Sequence, residues 1–126
     1  MKGGVLVVAD ADDDCPVELA GRLRMLVGRQ PSKLTVAVAV REFESWFLAA
    51  IRSLVGHSAV RPDADCPKDP DMRRDAKGAL GKLMTTTYRE TLHQPAFAEL
   101  MDLEAGMRSR SFSHLVSSIG YLLDGK

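Results

Sequence analysis

Apolar positions along the chain change their spacing part-way, and the change divides it in two. Val5–Ala9 (VLVVA) is a continuous β-branched run, the pattern of a strand buried on both faces of a parallel sheet. It ends in Asp10-Ala11-Asp12-Asp13-Asp14, an acidic loop at the strand's carboxyl end. Pro16 suits the first turn of a helix, where its missing N–H is not needed, and Glu18 is favoured there by the helix dipole. Leu19, Leu23, Leu26 and Val27 follow at helical spacing, with Gly28 as the stop. Leu34–Val40 (LTVAVAV) predicts a second buried strand. A strongly periodic helix comes next, with Phe43, Trp46, Phe47, Ala50, Ile51, Leu54 and Val55 on its apolar stripe, closing near Gly56. Trp46 and Phe47 are core residues on this pattern. Residues 1–56 therefore read as one βαβ unit.

The second half, residues 57–126, has a different rhythm. A loop rich in Pro and Asp runs from His57 to Pro70. Beyond it Met72, Ala76, Leu80, Leu83 and Met84 form one helical stripe. Phe97, Leu100 and Met101 form a second, entered at Pro95. Phe112, Leu115, Val116, Ile119, Leu122 and Leu123 form a third, with Ser109 or Ser111 available as N-cap. The expected class is α/β in a single domain: a parallel sheet represented by one βαβ unit, followed by a helical C-terminal half. Two parallel strands make a poor sheet, because such sheets are normally larger and covered on both faces. The sheet is therefore expected to be incomplete here, with further strands from a preceding segment of a longer protein or from another subunit.

Composition narrows the functional classes. The 17 basic and 17 acidic side chains cancel, which argues against a strongly cationic nucleic-acid binder while leaving room for a local basic face. At 45% hydrophobic and 27% charged residues the chain has globular rather than disordered composition. No apolar run approaches the roughly 18–20 residues of a membrane helix. Met1–Ala9 is too short for a secretory segment, so the expected location is the cytoplasm. Cys15 and Cys66 each precede a proline and form no C-x-x-C pair, and no ligand spacing joins them to His57, His93 or His114. They read as reduced thiols.

The sharpest chemical feature is the apolar strand that runs into Asp10-x-Asp12. Hard oxygen ligands suit Mg²⁺ or Mn²⁺, and Asp14 is a third candidate oxygen donor. In a right-handed βαβ unit both parallel strands end at one edge of the sheet, about 4.8 Å apart. Arg41, Glu42 and Glu44 should then lie near Asp10 and Asp12, at the edge where open α/β sheets bind ligands. A carboxylate cluster with a nearby arginine fits metal-assisted phosphoryl transfer. The plainer alternative is that these acids solvate a loop and favour helix N-termini. Weaker features carry less. Asp63, Asp65, Asp69 and Asp71 lack the glycine and glutamate of a calcium loop. Arg73, Arg74, Lys77 and Lys82 suggest either a basic face for phosphates or an ordinary charged surface. Gly3-Gly4 is no P-loop, since it precedes the strand and no G-K-S/T follows.

The apolar strand ending in D-x-D resembles the second acidic motif of the TOPRIM fold of topoisomerases, primases and OLD-type nucleases. More closely, several blocks resemble an uncharacterised bacterial TOPRIM-like family that is often encoded beside ABC-type and OLD-type ATPases and linked to phage defence. They are Asp10-Ala-Asp-Asp-Asp-Cys-Pro16, Arg41-Glu-Phe-Glu-Ser-Trp-Phe-Leu48, Asp69-Pro-Asp71 with Lys77, Tyr88, and Ser109-Arg-Ser-Phe112. The resemblance spans Val5 to Leu122. It implies a Mg²⁺-dependent nucleic-acid phosphodiesterase, with Asp10 and Asp12 on the metal, Glu42 or Glu44 completing or orienting its shell, and Arg41 or Lys77 on phosphate. TOPRIM domains also carry a glutamate after an earlier strand, and only Met-Lys-Gly-Gly precedes Val5 here. The resemblance thus leaves a second expectation: a non-catalytic module that binds an ATPase partner or nucleic acid. A haloacid-dehalogenase-type phosphatase fits less well, because Asp14 stands where that motif has Thr or Val. A response-regulator receiver needs five alternating strands.

Overall fold

The computed structural model describes residues 4–28, 33–40, 42–72 and 75–124. Strand β1 (Gly4–Asp10), helix α1 (Pro16–Val27) and strand β2 (Lys33–Ala39) form the expected βαβ unit. The strands are parallel, in a register that runs from Gly4 opposite Lys33 to Asp10 opposite Ala39. Ala11 extends the ladder by donating its N–H to the Ala39 carbonyl at 3.0 Å. Pro16 is the first residue of α1, and Gly28 ends it with φ +74°, a left-handed conformation that costs glycine little.

The two strands do not share one environment. Thr35 to Ala39 of β2 are all buried, as a fully apolar run predicts. β1 is the edge strand: Val5 and Val8 are 36% and 44% exposed, contrary to the reading of Val5–Ala9 as buried on both faces. β1 pairs only with β2 among the described residues. On α1, Leu19, Ala20 and Leu23 pack against Val36, Val38 and Val7, while Leu26 lies 82% exposed, off the predicted stripe.

The helix predicted from Phe43 to Val55 is broken. Helix α2 (Glu44–Ala49) and helix α3 (Ile51–Leu54) are separated at Ala50, where φ −101° and ψ 14° leave helical geometry. Its apolar stripe is nevertheless the main core. Phe47, Leu48, Ile51 and Leu54 are fully buried and pack with Leu80 and Phe97. Each such side chain contributes roughly 1.5–3 kcal/mol on burial. Trp46 turns the other way, onto Ala39 and Phe112, and so ties the sheet to the helical half.

The stripe starting at Met72 also divides. A 3₁₀ turn (Pro70–Met72) leaves Met72 66% exposed, and helix α4 (Ala76–Lys82) carries the buried Ala76 and Leu80. Helix α5 (Glu90–Leu100) begins five residues before Pro95, which lies inside it rather than at its entry. Helix α6 (Leu103–Gly106) was not predicted, and helix α7 (Arg110–Asp124) was. Ser109 caps α7 as expected, its Oγ accepting the Phe112 N–H at 3.1 Å. A single antiparallel bridge, Val60 to Met84, closes the Pro- and Asp-rich loop.

Candidate functional site

The parallel register carries Asp10 to the end of β1 just where the chain leaves β2. Phe43, four residues beyond Ala39, donates its backbone N–H to Asp10 Oδ1 at 2.9 Å. That bond is the expected meeting of the two strand ends, made visible in one contact. The chain then turns into α2, and Glu44, its first residue, points inward.

Glu44 is the least ordinary residue of the site. It is 0% exposed. Its Oε2 accepts from the Tyr88 hydroxyl at 2.8 Å and from Gln94 Nε2 at 2.9 Å. Its Oε1 is buried with no hydrogen-bond partner. A bare buried acceptor costs about 1–3 kcal/mol, and more when charged, so a carboxylate held this way has capacity for a ligand that the protein does not fill. Glu44 lies close enough to Asp10 to act on its titration. Burial first, and the Glu44 charge second, raise the Asp10 carboxyl above its ordinary value; Asp12 adds to this, while the Phe43 amide and Lys77 oppose it. Burial and the bond to Glu44 hold the Tyr88 hydroxyl far above its normal range, so it stays a donor at every working pH.

Glu42 and Lys77 form the second part. Glu42 Oε1 accepts the backbone N–H of Lys77 at 3.1 Å, which fastens the first turn of α4 to the loop after β2. Lys77 Nζ stands 3.9 Å from Glu42 Oε2 and 2.6 Å from Glu90 Oε1. The Glu90 contact is the main cause holding the Lys77 ammonium above its ordinary value; partial burial opposes it, and the Glu44 and Glu42 charges reinforce it. Lys77 is thus a fixed positive charge over three carboxylates.

The other predicted residues are placed differently. Asp12 adopts φ +52° in the turn where the Asp14 N–H bonds to the Ala11 carbonyl, and its charge reaches Asp10. Asp14 lies against Arg22 of α1 at 3.6 Å, so the structure gives it an ion-pair partner away from Glu44. Arg41, Arg73 and Arg74 lie outside the described residues. Cys15 and Cys66 are free thiols. Among the described residues, no three His, Cys, Asp or Glu side chains converge as a ready-made metal ligand set.

Sequence reasoning missed Gln94 and Glu90 altogether and gave Tyr88 no role. They lie 44 to 50 residues from Glu44, on α5 and the segment before it, and periodicity does not report which polar residue of a distant helix faces inward. It also missed Asp71. That carboxylate accepts from Ser109 Oγ at 2.6 Å and from the Ser111 N–H at 3.2 Å, while Ser111 Oγ accepts from Trp46 Nε1 at 2.8 Å. Asp71, Ser109 and Ser111 are therefore a structural clamp between the 3₁₀ turn, α7 and α2. No family model matches the chain, and no curated protein or solved structure is significantly similar to it.

Proposed function

We propose that this chain is a TOPRIM-like, divalent-metal-dependent nucleic-acid phosphodiesterase, the nuclease component of an ATPase-linked, phage-defence type of system. The observation that carries the reading is the unpartnered, fully buried Oε1 of Glu44 beside the Asp10 carboxylate. The donor set suits a hard cation. Mg²⁺ is commonly bound through only one or two carboxylates with retained water, which agrees with Asp10 and Glu44 as direct ligands and no larger preformed cage. Asp12 is near enough to add charge. When bound, the ion would supply Lewis acidity at a phosphoryl oxygen and an activated water.

The chain's own groups account for the rest. Tyr88 and Gln94 fix the orientation of Glu44 by occupying Oε2, which directs Oε1 to the ligand. Lys77 supplies the positive charge for a phosphate, and Glu42 sets its position through the α4 backbone. Nucleic acid, an ATPase and a second copy that extends the sheet beside β1 are the partners that go with this reading.

A second reading has its own observation. Asp10 and Glu42 already accept backbone N–H groups from Phe43 and Lys77, which is what purely structural carboxylates do. On that reading the chain is a non-catalytic module that binds an ATPase or nucleic acid. Cleavage assays on single- and double-stranded DNA and RNA separate the two. Metal-dependent cleavage that is lost in Asp10→Asn and Glu44→Gln supports the phosphodiesterase. Metal binding without cleavage by the wild type, alone and with nucleic acid in excess, favours the binding module.

A further inference from the structure

Beside the acidic site lies a groove of about 400 Å³, lined by Phe43, Glu90, Thr91, Gln94, Pro95 and Ala98. Three of these residues also build the acidic site. The Phe43 amide holds Asp10, Gln94 holds Glu44, and Glu90 holds Lys77. The groove is therefore continuous with the place where a phosphate would sit, and a group attached to that phosphate lies along it.

Its chemistry is specific. Phe43, Pro95 and Ala98 give apolar walls suited to the face of a flat ring. The polar groups are mainly acceptors. Glu90 meets Lys77 through Oε1, which leaves Oε2 to accept. Gln94 donates to Glu44 through Nε2, which leaves its carbonyl oxygen. Pro95 lies inside α5 and has no N–H, so the Thr91 carbonyl lacks the donor that an unbroken helix would offer it. A carboxylate in the wall disfavours a second phosphate there and favours a neutral ring bearing N–H donors.

We propose that this groove binds the nucleobase of the nucleotide whose phosphate meets the acidic site, and that it favours bases with an exocyclic amine over thymine. The assignment rests on the phosphodiesterase reading for its phosphate position, but the groove's own chemistry is tested separately. The volume is within the range of small-ligand sites, roughly 300–1,000 Å³, and holds one nucleoside rather than a stacked pair.

The test is a titration of the four deoxynucleoside 5′-monophosphates and of 2-deoxyribose 5-phosphate, with Ca²⁺ present, followed by calorimetry and by amide chemical shifts. Ala98 and Thr91 are exposed on α5, so Ala98→Trp fills the groove and Thr91→Val trims its rim without touching the acidic residues. Circular dichroism checks that both fold, and Mn²⁺ titration checks the acidic site independently. The expected result is dAMP, dCMP and dGMP binding at least tenfold tighter than deoxyribose phosphate, with dTMP weaker than these three. Ala98→Trp should remove that advantage and leave Mn²⁺ affinity unchanged. Deoxyribose phosphate binding as tightly as the nucleotides, or Ala98→Trp leaving their affinity within twofold, overturns the groove assignment while the metal reading stands. Base-dependent binding with no Mn²⁺ binding upholds the groove and removes the phosphodiesterase. If neither is seen, both fall.

Discussion

The Asp10 carboxyl is held above its ordinary value by burial first and by Glu44 second, so the folded chain binds a proton there more tightly than the unfolded one. The stabilising contribution is then fully present below the ordinary aspartate value, near pH 4, and is lost as pH rises through the raised one. Above both values, the ionised Asp10 opposes folding. Asp10→Asn keeps the oxygen that accepts from Phe43 and removes the charge. It should raise the melting temperature at pH 7 by on the order of 2 °C, with no difference at pH 3. Thermal melts at the two pH values check this, and a lower melting temperature at pH 7 would contradict it. Lys77 gives the complementary case. Its pair with Glu90 is about half exposed on both sides, so Lys77→Ala should change stability by less than about 1 kcal/mol. The same substitution should weaken nucleic-acid binding at least tenfold, measured by fluorescence anisotropy at fixed salt.

Among the elements, the clamp on α7 carries the clearest stability prediction. Asp71→Ala leaves the Ser109 hydroxyl and the Ser111 N–H without their acceptor in a half-buried place and loosens the cap of α7. The expected cost is about 2 kcal/mol by urea denaturation, with metal affinity unchanged. A parallel loss of metal affinity would instead tie the clamp to the site. Element boundaries were legible where chemistry marks them: Pro16 and Gly28 around α1, and Ser109 before α7. They were illegible where tertiary contacts overrode local signals. The stripe through Phe43 and Val55 is continuous in sequence, yet the chain breaks at Ala50, so the pattern reported which residues are buried without reporting the break. Pro95 misled in the opposite sense, since a helix of this length tolerates a proline six residues in when one carbonyl is left to other partners.

For the whole molecule, the βαβ unit and a helical half were readable from spacing alone, and so was the meeting of Asp10 with the segment after β2. The inward turn of Glu44 and its support by Tyr88 and Gln94 were not readable, because contacts across 44 and 50 residues depend on how α5 docks. The same holds for β1. Its β-branched run looks like a buried strand, but burial depends on what covers it, and Val5 and Val8 are left at an edge. Such an edge, with no lysine or proline along it, pairs readily with another strand. Self-association through β1 should make the weight-average mass rise with concentration in sedimentation experiments, and Val8→Lys should return it to the monomer. A wild type that stays monomeric at millimolar concentration would contradict a sheet extended by a second copy.

The account turns on Asp10 and Glu44 holding one divalent ion. Calorimetric titration of Mn²⁺ into the wild type, Asp10→Asn and Glu44→Gln measures this most directly. One ion per chain, lost in either variant while both remain folded, is the predicted result. A wild type that binds no Mn²⁺ at millimolar concentration, or a Glu44→Gln chain that binds it as well as the wild type, would contradict the role assigned to the bare oxygen of Glu44.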